Sequence, residues 1–128
     1  MDSKLLNLDL FEFEIECLPE DLPVRGNASF IDEETDRAIE DRIIADLERG
    51  NEWAWCTVKV TARLIGCEWL EGESSLGCCS YASEEDFIKN SGCLDDLKRE
   101  AVKDCRAAAG LIYARYVRLV ELGLINCW

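Results

Sequence analysis

Trp53-Ala54-Trp55-Cys56-Thr57-Val58-Lys59-Val60-Thr61-Ala62-Arg63-Leu64 decides the fold, because apolar and polar residues alternate along it with a period of two. Ala54, Cys56, Val58, Val60, Ala62 and Leu64 face one way, and Trp53, Trp55, Thr57, Lys59, Thr61 and Arg63 face the other. The pattern predicts a long strand over 53–65 with a single core face, so one layer must cover one side of its sheet.

Downstream, residues 66–74 read as a turn or a loosely paired segment. Residues 76–81 read as a shorter strand returning antiparallel, with Gly77 permitting close backbone approach. Ser83 and Asp86 resemble a capping box, so a short helix through Phe87 and Lys89 is expected, broken by Asn90-Ser91-Gly92. A long helix over 94–122 follows, its stripe formed by Leu94, Leu97, Ala101, Cys105, Ala108, Ile112, Tyr116 and Leu119. Gly110 predicts a kink or a close crossing within it, and Gly123 its end.

Upstream, Asp32 caps a helix over 33–49 on which Ile39, Ile43 and Leu47 recur every four residues. Residues 6–17 alternate again, with Phe11, Phe13, Ile15 and Cys17 opposite Glu12, Glu14 and Glu16. Leu6, Leu8 and Leu10 run in the other phase, which predicts a bulge near Leu10. The expected fold is one α+β domain over 1–128. Its small antiparallel sheet, from 6–17, 53–65 and 75–81, is packed on one side by the helices at 33–49 and 94–122, the latter a long C-terminal helix.

Composition narrows the function classes. The chain has 128 residues, 48% hydrophobic and 32% charged, which describes a globular protein able to bury one core. A formal net charge of −13 argues against direct binding of nucleic acid or an anionic membrane, since both need a cationic surface. No apolar run approaches the roughly 20 residues that cross a bilayer. Residues 1–20 show no signal peptide, so the eight cysteines are expected as free thiols in a reducing compartment, the cytoplasm of a bacterial host.

There is no histidine, which removes Ser-His and Cys-His nucleophile systems and the commonest general base near neutral pH. The cysteines lack the short chelating spacings of zinc sites, and the adjacent Cys78 and Cys79 would point to opposite faces of a strand. Neither catalysis nor a metal or other cofactor is therefore expected. Trp53, Trp55, Lys59 and Arg63 share a face on which bases could stack. Packing in the core or an interface is favoured there, because the net charge opposes an approaching nucleic-acid strand.

Two segments carry a resemblance: Asn51-Glu52-Trp53-Ala54-Trp55-Cys56 with Val58 and Val60, and Leu76-Gly77-Cys78-Cys79-Ser80-Tyr81 followed by Ser83-Glu84-Glu85-Asp86-Phe87. Together, over about residues 50–105, they resemble a group of small proteins carried by bacteriophages, prophages and plasmids. The likeness rests on apolar and aromatic positions and brings no catalytic signature. It implies a mobile-element accessory protein, a setting in which small acidic proteins often block host defence machinery.

Charge location gives that expectation a place. Residues 1–52 hold sixteen acids against five bases, whereas residues 53–128 hold eleven acids against nine bases. Glu12, Glu14 and Glu16 would stand about 6.6 Å apart along one strand face. Beside an acidic helix carrying Glu33, Glu34, Asp36, Glu40 and Asp41, such a row could occupy a nucleic-acid channel and compete for its Arg and Lys side chains. The partner expected is a basic host protein or ribonucleoprotein complex, such as a CRISPR effector, inhibited in an anti-CRISPR-like way. The alternative is a structural protein that forms a homodimer through Trp53, Trp55 and the late apolar helix.

Overall fold

The computed structural model describes residues 7–126. Three strands, β1 (Phe11–Pro19), β2 (Cys56–Leu64) and β3 (Cys67–Cys79), form an antiparallel sheet with β2 in the middle. Helix α1 (Glu33–Glu48) lies between β1 and β2 in sequence, and α2 (Glu84–Asn90) and α3 (Leu94–Glu121) follow β3. The fold is α+β, as the alternating and helical periodicities predict.

The register explains the core. Phe13 pairs with Ala62, Ile15 with Val60 and Cys17 with Val58, so the apolar residues of β1 share the face of β2 that carries Val58, Val60 and Ala62. On β3 the same face carries Leu76, Ser74 and Gly72. Helix α3 covers it with Leu97, Ala101, Val102 and Cys105. Lys98 lays its ammonium 5.1 Å from the Phe13 ring and extends the cover towards β1. Phe87 of α2 closes one end, 5.9 Å from Trp53 and edge-on to Tyr81 at 5.2 Å.

The helix sits mainly over β3, and the small residues there explain why. A Cβ built on Gly72 would lie 2.1 Å from the Cys105 amide nitrogen and 2.4 Å from the Ala101 carbonyl oxygen, so backbone passes directly over backbone. The Ser74 hydroxyl donates to the Leu97 carbonyl at 2.6 Å, and the Glu73 amide donates to the Asp104 carboxylate at 2.9 Å. Residues 66–74, expected as turn or loose pairing, are for the most part strand. Gly and Ser score poorly as strand formers, yet their small size is what admits the helix.

Three further expectations are revised. The phase change near Leu10 is a 3₁₀ turn over Leu8–Leu10, capped by the Asn7 side chain, in place of a bulge; Leu6 lies outside the described residues. Strand β2 begins at Cys56, since a 3₁₀ turn over Glu52–Ala54 interrupts the alternation. That turn sends the two tryptophans apart: Trp53 packs into the sheet core, while Trp55, 6% exposed, joins Val24 and Ile43 in a second apolar cluster. Helix α1 belongs to this second cluster, with Ile39, Ile44 and Leu47 around it, and does not join α3 on the sheet face. The α1 periodicity is as predicted, but its apolar stripe meets Trp55 and the 20s loop.

Exchanging Gly72 for alanine forces either the helix or the strand to move, because the obstructing atoms are backbone. The Gly72→Ala variant is expected to lose about 3 kcal/mol of stability, the upper end of overpacking costs, read as a lower midpoint in urea unfolding. Gly110→Ala, with no neighbouring atom within 4 Å, is expected to hold or slightly raise that midpoint.

Candidate functional site

With α3 on one face, the other face of the sheet is uncovered, and alternation collects its polar residues there. Glu12, Glu14 and Glu16 stand beside Thr61, Lys59 and Arg63 of β2, with Glu71 and Glu73 of β3 beyond them. Two ionic ladders cross all three strands. Arg63 bridges Glu14 at 2.8 Å and Glu71 at 2.9 Å; Lys59 reaches Glu73 at 3.1 Å and Glu16 at 4.0 Å. The flanking carboxylates, hydrogen-bonded first of all, hold both cations above their ordinary pKa. Glu12 makes no ion pair with a described residue.

The acids expected on α1 divide between scaffold and surface. Glu40 is buried, taking the Arg25 guanidinium at 3.1 Å and the Gly26 amide at 3.0 Å, and Asp41 takes the same guanidinium at 2.6 Å. These two residues clamp the 20s loop, so Glu40 cannot reach a partner. Asp36 accepts from the Ile31 amide at 2.9 Å, and Glu33 pairs with Arg37 at 3.5 Å. Glu34 remains outward. The structure thus brings Glu12, Glu14 and Glu16 together on one face, while the α1 acids belong to a separate corner.

Glu20 is a carboxylate the sequence reading passed over. One oxygen accepts from the Cys78 amide at 2.6 Å and the Thr57 hydroxyl at 2.9 Å, the other from the Leu22 amide at 3.1 Å. Cys78 has φ 54°, left-handed backbone at the bulge where β3 slips against Cys56, and Glu20 anchors that bulge. The Cys78 amide, then that of Leu22, hold the Glu20 carboxyl below its usual value. Only its position after a strand-ending proline hinted at this, since a single Glu in an acid-rich chain carries no pattern.

Around the same end lie the thiols of Cys17, Cys56 and Cys79. The described cysteines are all free; the Cys17 thiol donates to the Glu52 carbonyl at 3.5 Å and the Cys56 thiol to the Trp53 carbonyl at 3.9 Å, with Cys56 paired opposite Cys79. Burial pushes the Cys17 and Cys56 thiols up and that of Cys79 up to about 11, so none of these three is poised as a thiolate near neutral pH. Among the described residues no group of three or more His, Cys, Asp or Glu is arranged to hold a metal ion.

The opposite end is apolar and open. Beyond Cys105, α3 runs past the sheet with Leu111 61%, Ile112 42%, Tyr113 68% and Leu119 39% exposed, followed by Leu122 and Leu124. Gly110 produces no close crossing, since a Cβ built on it would meet nothing within 4 Å beyond its own helix, and the helix continues through it. No helix among the described residues is long and apolar enough to cross a membrane. The chain matches no family model, no curated protein and no solved structure.

Glu20 supplies a pH test. Its folded-state pKa lies below the unfolded value of about 4.5, so its contribution is present above that pH and lost as pH falls through the folded value. Glu20→Gln is expected to melt below wild type at pH 7, with the gap closing towards pH 3, as followed by thermal denaturation. A gap that stays constant with pH contradicts the charged role.

Proposed function

We propose that the protein is a non-enzymatic acidic binding protein of a phage or other mobile element, which occupies the cationic nucleic-acid-binding surface of a host defence complex in an anti-CRISPR-like way. The observation that carries this reading is the bare sheet face, where Glu12, Glu14, Glu16, Glu71 and Glu73 stand with only Lys59 and Arg63 among them. The ladders reduce the net charge of that face, but they also hold carboxylates in rows on rigid strands. Binding then loses less side-chain entropy than it would with free glutamates. A cationic channel meets an anionic lattice of fixed spacing, and long-range attraction speeds the encounter. Glu33 and Glu34 extend the acidic field, while Glu40 and Asp41 serve the loop clamp. The mobile-element setting rests on the resemblance of residues 50–105.

The test is capture of a basic partner from bacterial host lysate by tagged protein. Glu12→Gln, Glu14→Gln and Glu16→Gln combined keep side-chain shape and polar contacts to the ladder cations while removing three charges. That variant is expected to capture at least tenfold less, and raising salt from about 0.1 M to 0.5 M is expected to release the partner from wild type. Equal capture by the variant, or capture indifferent to salt, contradicts the electrostatic reading.

A further inference from the structure

The apolar stripe of α3 does not stop where the sheet stops. Leu97, Ala101 and Cys105 are buried on β3, and the same helix face continues into Ile112 and Leu119, which stand open. Direction matters here: Leu97 lies over Ser74 and Cys105 over Gly72, so α3 runs antiparallel to β3 and heads for the β2–β3 hairpin. That hairpin turns through Ile65 and Gly66, with Leu64 paired to Cys67 and Arg63 to Glu71. Residues 68–70 therefore have no counterpart on β2 and bulge out. Ile65 and Trp69 are left exposed at the end towards which the helix points.

We infer that this end of the molecule, the α3 overhang with the hairpin tip, is a self-association surface that pairs two copies of the chain. Leu111, Ile112, Tyr113, Leu119, Ile65 and Trp69 together leave roughly 700 Å² open per copy, against the about 800 Å² per partner of a standard interface and the few hundred Å² of an ordinary surface patch.

Charge selects the occupant. Residues 107–120 carry only Arg115 and Arg118, whereas the rest of the chain makes the total −13. Two acidic bodies repel wherever they face one another, and the overhang is the part free of that excess. A second copy brings an identical apolar stripe. Antiparallel overlap of two overhangs, each about 21 Å long over residues 107–121, sets Glu121 of one copy near Lys103 at the root of the other. It also carries each overhang tip to the other copy's hairpin and separates the two acidic bodies. An anionic bilayer, by contrast, repels the chain as a whole. The pairing does not depend on the acidic reading. If both hold, the dimer presents two acidic sheet faces and binds bivalently.

Sedimentation velocity of the full chain at micromolar concentration in reducing buffer tests the pairing. Wild type is expected at twice the 14.5 kDa of one chain, in 0.1 M and in 1 M salt alike. Ile112→Asp with Leu119→Asp is expected to sediment as a monomer with unchanged circular dichroism and melting temperature. Ile112→Ala with Leu119→Ala, a milder pair, is expected to weaken self-association at least tenfold. A monomeric wild type, or a dimer that both pairs of substitutions leave intact, overturns the assignment. So does a monomer that co-floats with neutral phosphatidylcholine vesicles, which transfers the surface to a bilayer. The triple glutamine variant at residues 12, 14 and 16 is expected to stay dimeric, so loss of partner capture and loss of pairing are read separately.

Discussion

The rest of the structure depends on one close approach, the passage of the α3 backbone over β3 at Gly72. No side chain separates helix from strand there, and flanking hydrogen bonds at Ser74 and Glu73 hold both sides in register. A helix seated on an edge strand covers the sheet unevenly. It buries Val58, Val60 and Ala62 completely, leaves Phe11 and Phe13 partly open, with Lys98 over Phe13, and leaves the other face bare. Its 28 residues, about 42 Å long, match β3 in length, so the open second half follows from offset: Leu97 already lies at Ser74 and Cys105 at Gly72, near the hairpin end of the strand.

Two surfaces of opposite character result. The bare face is ionic, with each cation of the central strand held between glutamates of both neighbouring strands. The overhang is apolar and locally cationic. Individual exposed ion pairs contribute little to stability, so the ladders matter more for where the carboxylates stand than for folding. At the far end, Glu20 and the Arg25 clamp perform the opposite service, drawing acidic residues into hydrogen bonds that hold the 20s loop and the β3 bulge.

The acid row of β1 was legible because a period of two places Glu12, Glu14 and Glu16 together wherever the strand pairs. Its neutralising partners were half legible: Lys59 and Arg63 share a face of β2 in the sequence, but that they meet Glu14 and Glu16 needs the register. The roles of Glu40 and Glu20 were not legible, since each depends on backbone amides from a distant loop that no local pattern identifies. Trp53 and Trp55 show the same limit, because a single 3₁₀ turn overrides an alternation that runs unbroken in the letters.

Periodicity by itself determined the elements: two amphipathic strands, a capped helix at 33–49, a capped short helix and a long C-terminal helix, along with the acid excess of residues 1–52. These follow from local spacing and capping, which act over a few residues. Only the tertiary structure decided that α1 packs on Trp55 and not on the sheet, that Gly72 and Ser74 are the seat of α3, and that the stripe beyond Cys105 is left open. Those outcomes turn on which surfaces meet, and burial is a property of the pair of surfaces, which no single stretch of chain contains.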